Sequence, residues 1–116
     1  MLQIEKVREG DVLILQLIGE VDASNSVLLD QSIQESLQPE ITVVVIDGQE
    51  LKYISSAGLG VFMSYVDDFS ERGIHFSIFG LTQQVGEVFK ILGLDRVIAI
   101  VPDKTTAIAL RKWVLS

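Results

Sequence analysis

The residues with the most chemistry to offer fall in one stretch, Val43 to Met63, which reads VVVIDGQELKYISSAGLGVFM. Two adjacent hydroxyls, Ser55 and Ser56, precede Ala57-Gly58-Leu59-Gly60, and Asp47 closes the β-branched run Val43 to Ile46. A hydroxyl at the start of a helix can accept a hydrogen bond from a free backbone N–H of the first turn, which makes either serine a candidate N-cap. The same position suits a phosphate. A helix start carries unpaired N–H groups and about half a positive charge, and a phosphoserine adds roughly −1.5 to −2 charges. Capping and modification draw on the same physics, so the residues alone leave both open. Gly58 and Gly60 each cost a helix about 1 kcal/mol relative to alanine. Close approach of another backbone, from inside the molecule or from a partner, would account for them.

Asp47 and Asp22 both stand at strand ends and are expected on the same rim as Ser56, where they could line a site for a kinase or a cation. Acids at strand ends are also ordinary turn formers, and Asp22 is the weaker candidate. Catalysis has little support. The single histidine, His75, lies in a strand far in sequence from Ser56, and neither serine sits in a G-x-S-x-G elbow. A small hydrolase built on Ser56 would lack its base. Gly58 and Gly60 lack the third glycine of a dinucleotide fingerprint, there is no Walker-type G-K-[ST], and no cluster has metal-ligand spacing. No catalytic residue, cofactor or metal is expected.

The elements that must position these residues can be read along the chain. Leu2 to Val7 and Val12 to Gly19 form a hairpin around Glu9-Gly10-Asp11, and a first helix spans Ser26 to Leu37, closed by Pro39. Ile41 to Ile46 is too short for a helix and too apolar for an edge, so it is a central strand. A polar turn then leads to the second helix, whose Leu59, Phe62, Met63, Val66 and Phe69 make one apolar face, with Asp67, Asp68, Glu71 and Arg72 towards solvent and Gly73 as terminator. Ile74 to Gly80 alternates as a strand. Thr82 caps a third helix with Val85, Val88, Phe89 and Leu92 inward, ended by Gly93, and Arg96 to Val101 is a further strand. Asp103 caps a last helix, with Ala107, Leu110 and Val114 inward and Trp113 over an edge of the core. The order ββαβαβαβα requires crossovers, hence a small mixed α/β sheet, parallel apart from the opening hairpin.

The 116 residues bound what this fold can do. They make one domain, residues 1–116, with 48% hydrophobic content and scattered charges, the profile of a compact globular chain. The apolar runs are too short to cross a bilayer, and MLQIEKVREGD has no basic start leading into an apolar segment. A cytoplasmic location is the default expectation. With no cysteine there is no disulfide, thiolate or Cys-ligated zinc. The net charge of −7, without a basic patch, disfavours nucleic acid and is compatible with a basic protein partner.

Val44-Val45-Ile46-Asp47, followed by Tyr53-Ile54-Ser55-Ser56-Ala57-Gly58-Leu59-Gly60-Val61, closely resembles the signature of STAS domains, in particular bacterial anti-sigma factor antagonists. The likeness covers nearly the whole chain; Gly19-Glu20-Val21-Asp22 is similar to the family's turn before its first helix. The resemblance implies a non-enzymatic switch. An anti-sigma factor that is also a serine kinase binds the unphosphorylated antagonist and frees a sigma factor; phosphorylation breaks that complex, and a serine phosphatase restores it. The family pattern is Asp-Ser-[Ser/Thr]-Gly, against Ser55-Ser56-Ala57-Gly58 here. Alignment on Gly58 makes Ser56 the implied phosphoacceptor, with Ser55 the second candidate. Asp22, Asp47, Ser55, Ser56, Ala57, Gly58, Leu59 and Gly60 are the implied partner surface. The free protein is expected to be a monomer, although the Ile74 to Phe79 strand would offer an apolar edge if exposed. An alternative from the same family is a STAS subunit regulating a membrane transporter or a sensory complex.

Overall fold

The computed structural model describes the backbone of residues 1–115 and the side chains of residues 1–110. The chain runs β1 (Leu2–Glu9), β2 (Val12–Val21), α1 (Ser26–Ser36), β3 (Val43–Asp47), β4 (Leu51–Ile54), α2 (Ser56–Glu71), β5 (His75–Phe79), α3 (Gln83–Ile91), a 3-10 turn (Leu94–Arg96), β6 (Ala99–Val101) and α4 (Lys104–Leu115). Five strands lie in the order β1-β2-β3-β5-β6, and β4 pairs with β2. β1 is antiparallel to β2, while the other pairings are parallel. The mixed sheet with its helical crossovers is therefore present as expected.

β2 is the longest strand, and its length organises the sheet. Its first half, Val12 to Gln16, pairs with Val43 to Asp47 of β3. Its last residues, Gly19 to Val21, pair with Leu51 to Ile54 of β4, across an irregularity between Gly19 and Glu20. β4 is a correction to the expected polar turn. Four residues are too few to show alternation in sequence, but β2 overruns β3 and offers free hydrogen-bonding groups that Leu51 to Ile54 satisfy. The strand expected over Arg96 to Val101 is also shorter, because Leu94 to Arg96 turns as a 3-10 segment. β5 is paired on both sides, by β3 and β6, so it presents no open edge. The outermost strand at one side is β1, which carries Glu5, Lys6, Arg8 and Glu9.

Alternation along the strands divides the core between the two faces. Leu13, Leu15, Leu17, Val44, Ile46, Phe76 and Ile78 pack with Leu29 and Ile33 of α1, Phe62, Tyr65 and Phe69 of α2, and Val85 and Phe89 of α3. Val12, Ile14, Val43, Val45 and Phe79 pack on the other side with Ala107 and Ile108 of α4. Phe62 and Phe76 have ring centroids 6.0 Å apart, and Phe69 meets Phe76 edge-on at 5.1 Å. Two residues expected inward are exposed, Met63 by 52% and Leu92 by 58%. Helical spacing gives a stripe but not its width, and both fall at its margin. The expectations for Trp113 and Val114 fall on side chains outside those described. Among the described residues no helix is long and apolar enough to cross a membrane.

Candidate functional site

The serine pair sits where β4 ends and α2 begins. Ser55 is the N-cap: its backbone is extended, and its Oγ accepts from the Gly58 N–H at 3.4 Å. Its own N–H donates to the Val21 carbonyl at 2.8 Å, which locks the corner to the end of β2. Ser56 is the first helical residue and is exposed. The N–H groups of Ser56 and Ala57 meet no acceptor among the described residues, as the first turn of a helix requires. Adjacent serines thus have different surroundings, one turned into the fold and one into solvent.

Gly58 explains why the corner is so tight. A Cβ there would stand 2.6 Å from Val21 Cγ1 and 2.8 Å from Ile54 Cγ1, so α2 can seat on β2 and β4 only with bare backbone at that point. Leu59 is buried beside it. The far end of α2 is closed by Gly73, at φ +70°, where the Ile74 N–H reaches back to the Phe69 carbonyl at 2.8 Å. α2 is thereby fixed at both ends. Tyr65 holds its middle: its hydroxyl donates to the Asp30 carboxylate of α1, and burial, with Asp30 beside it, raises its pKa above the ordinary tyrosine value.

Asp22 lies at the level of Ser55, because Val21 is in register with Ile54. Its carboxylate is occupied locally. Oδ1 accepts from the Ser24 hydroxyl and from the N–H groups of Ser24 (2.9 Å) and Asn25 (3.2 Å), and Asn25 Oδ1 accepts from the Asp22 N–H at 2.9 Å. The Ser24 hydroxyl above all holds the Asp22 pKa below the ordinary carboxylate value. Asp22 thus shapes the entry into α1 on the serine rim.

Asp47 closes β3 at the same, carboxyl end of the parallel strands, but not at the level of Ser55. It is in register with Gln16, five residues before Val21 along β2. It lines a cavity with Ile14, Gln16, Phe79 and Lys104, on the α4 side of the sheet. Its Oδ1 accepts from the Gln49 N–H at 3.0 Å, the act of a turn former. His75 opens β5 in register with Val43, at the strand ends opposite the serines. Burial depresses its pKa, and its Nε2 has no partner among the described residues. The histidine therefore stands away from Ser56, and no cluster among the described residues could hold a metal ion.

Sequence reasoning missed one feature of this corner. Ser56, Leu59, Gly60, Met63, Leu92 and Leu94 line a groove of about 270 Å³ between α2 and the end of α3. No local pattern signals it, because it is made by two elements whose contact is set by the tertiary fold.

The STAS domain family model matches residues 3–107. This chain is a STAS domain. An anti-sigma-B factor antagonist of Listeria monocytogenes is 30% identical over 95 residues, 82% of this chain and 83% of its own length, which places the STAS domain among the anti-sigma factor antagonists. That group consists of non-enzymatic regulators. The fold is shared with an anti-sigma factor antagonist from Mycobacterium paratuberculosis, at TM-score 0.87 and 17% identity, covering 97% of this chain and 95% of that one. It is shared too with the Bacillus cell fate determinant SpoIIAA in the phosphorylated form, at TM-score 0.69 and 17% identity, covering 94% and 97%.

Proposed function

We propose that this STAS domain captures an anti-sigma factor with the surface around Ser56, and that a phosphate on Ser56 releases it. The observation that carries this reading is the division of labour between the two serines. Ser55 caps α2, while Ser56 is exposed and holds no bond that the fold needs. In the family pattern an aspartate fills the Ser55 column. Aspartate is as good an N-cap as serine, so Ser55 performs the same structural task and leaves Ser56 in the acceptor column.

The energetics suit a switch. A phosphate at the first helical residue meets free N–H groups and the positive end of the helix, so the free protein accommodates it. Against a docked partner the same charge is desolvated without a mate, a mismatch that costs about 2–5 kcal/mol. That is about 30-fold to several thousand-fold in affinity. The anti-sigma factor would itself be the serine kinase, and a serine phosphatase would restore the free form. Residues 1–116 would act as one such domain.

The test is affinity capture from a lysate of the native organism with Ser56→Ala and Ser56→Asp as baits, read by mass spectrometry. Retention of an anti-sigma factor by the alanine form and its loss by the aspartate form is expected. Equal retention on both baits would overturn the reading for Ser56 and move the test to Ser55. Retention of transporter components in place of an anti-sigma factor would overturn the choice of partner.

A further inference from the structure

The second glycine of α2 has no internal reason to be a glycine. A Cβ at Gly60 would meet no heavy atom within 4 Å, in contrast to the crowding at Gly58. The helix loses stability by it, and nothing in the fold is gained in return. Gly60 follows Ser56 by four residues, so the two share a face, and both line the groove of about 270 Å³. Of its other four walls, Leu59 and Leu94 are buried, while Met63 and Leu92 are 52% and 58% exposed. A bare backbone notch and large apolar side chains left in water coincide at one place.

We infer that this groove receives an apolar side chain of the same anti-sigma factor that reads Ser56, with Gly60 as the notch that admits it. The inference rests on the function proposed above. The occupant follows from three observations. None of the six lining residues is charged, so the complementary group is apolar. The groove is smaller than a typical small-molecule pocket, which does not suit it to enclosing a free ligand. Ser56 is itself one of its walls, so a protein that covers the Ser56 hydroxyl also covers Gly60 and Met63. The phosphate would then stand at the mouth of the groove, where it blocks the apolar contact as well as adding charge.

The test uses purified wild type, Gly60→Leu, Gly60→Ala, Leu92→Ser and Ser56→Asp, each titrated with every purified anti-sigma factor encoded in the same genome. Gly60→Leu is expected to bind about 100-fold more weakly than wild type, and Gly60→Ala and Leu92→Ser about 10-fold more weakly. Gly60→Ala should melt about 4 °C higher, so that binding and stability move in opposite directions. If Gly60→Leu binds within threefold of wild type while Ser56→Asp is lost, the groove is overturned and the serine switch stands. If Gly60→Leu is lost while Ser56→Asp binds normally, the groove stands and the switch is overturned. Full retention by both variants, or no binding by wild type, overturns both.

Discussion

The inward and outward sides of the first two turns of α2 are built from the same residue types and put them to opposite uses. Ser55 caps the helix, Gly58 lets it lie against Val21 and Ile54, and Phe62 is fully buried. One or two residues along, Ser56 is exposed, Gly60 faces open space, and Met63 is half exposed. Serine, glycine and a large apolar residue occur on both sides. Residue type therefore assigns no role here; the surroundings do. The inward set is what the fold needs, and the outward set is left to solvent.

Three paired substitutions test that division. The largest contrast is expected from Phe62→Ala, which should cost about 3–5 kcal/mol, against under about 1 kcal/mol for Met63→Ala. Urea unfolding reads both, and similar losses would mean that Met63 belongs to the core. The glycines come next, with opposite signs. Gly58→Ala should destabilise by about 1–3 kcal/mol through overpacking against Val21 and Ile54, while Gly60→Ala should stabilise by about 0.5–1 kcal/mol. Thermal unfolding that moves both variants the same way would break the comparison. The serines should differ least. Ser55→Ala should lose about 0.5–1 kcal/mol, the low end for a cap because its 3.4 Å bond to the Gly58 N–H is long. Ser56→Ala should stay within about 0.5 kcal/mol of wild type. Ser55→Asp sharpens this pair further: it keeps the cap and adds a negative charge near the helix start, so stability should hold or rise by up to about 1 kcal/mol.

The sequence carried the serine corner and the sheet class because both rest on local rules. A β-branched run, a capping hydroxyl and a terminating glycine act within a few residues of themselves. What escaped was set at a distance. β4 exists because β2 runs on past β3, and nothing in Leu51-Lys52-Tyr53-Ile54 announces that partner. Asp47 ends a strand as Ser55 nearly does, but a register offset of five residues along β2 and a change of sheet face separate the two. Met63 and Leu92 obey the helical spacing of buried residues and are exposed because no neighbour covers them. The Tyr65 bond to Asp30 links positions 35 residues apart, beyond any local pattern.

β1 has a consequence of its own. A sheet's outer strand is an open template, and two copies could join edge to edge about a two-fold axis. Such a pairing sets residues of the same side opposite each other. Centred on Glu5, it faces Glu5 with Glu5; on Lys6, Lys6 with Lys6; on Val7, Lys6 with Arg8 and Glu5 with Glu9; on Arg8, Arg8 with Arg8. Like charges meet in each of these registers. The charge order along β1 thus weighs against edge-to-edge pairing of two copies, tempered by the ion pairs that Lys6, Arg8 and Glu9 make with Glu35, Glu40 and Lys104.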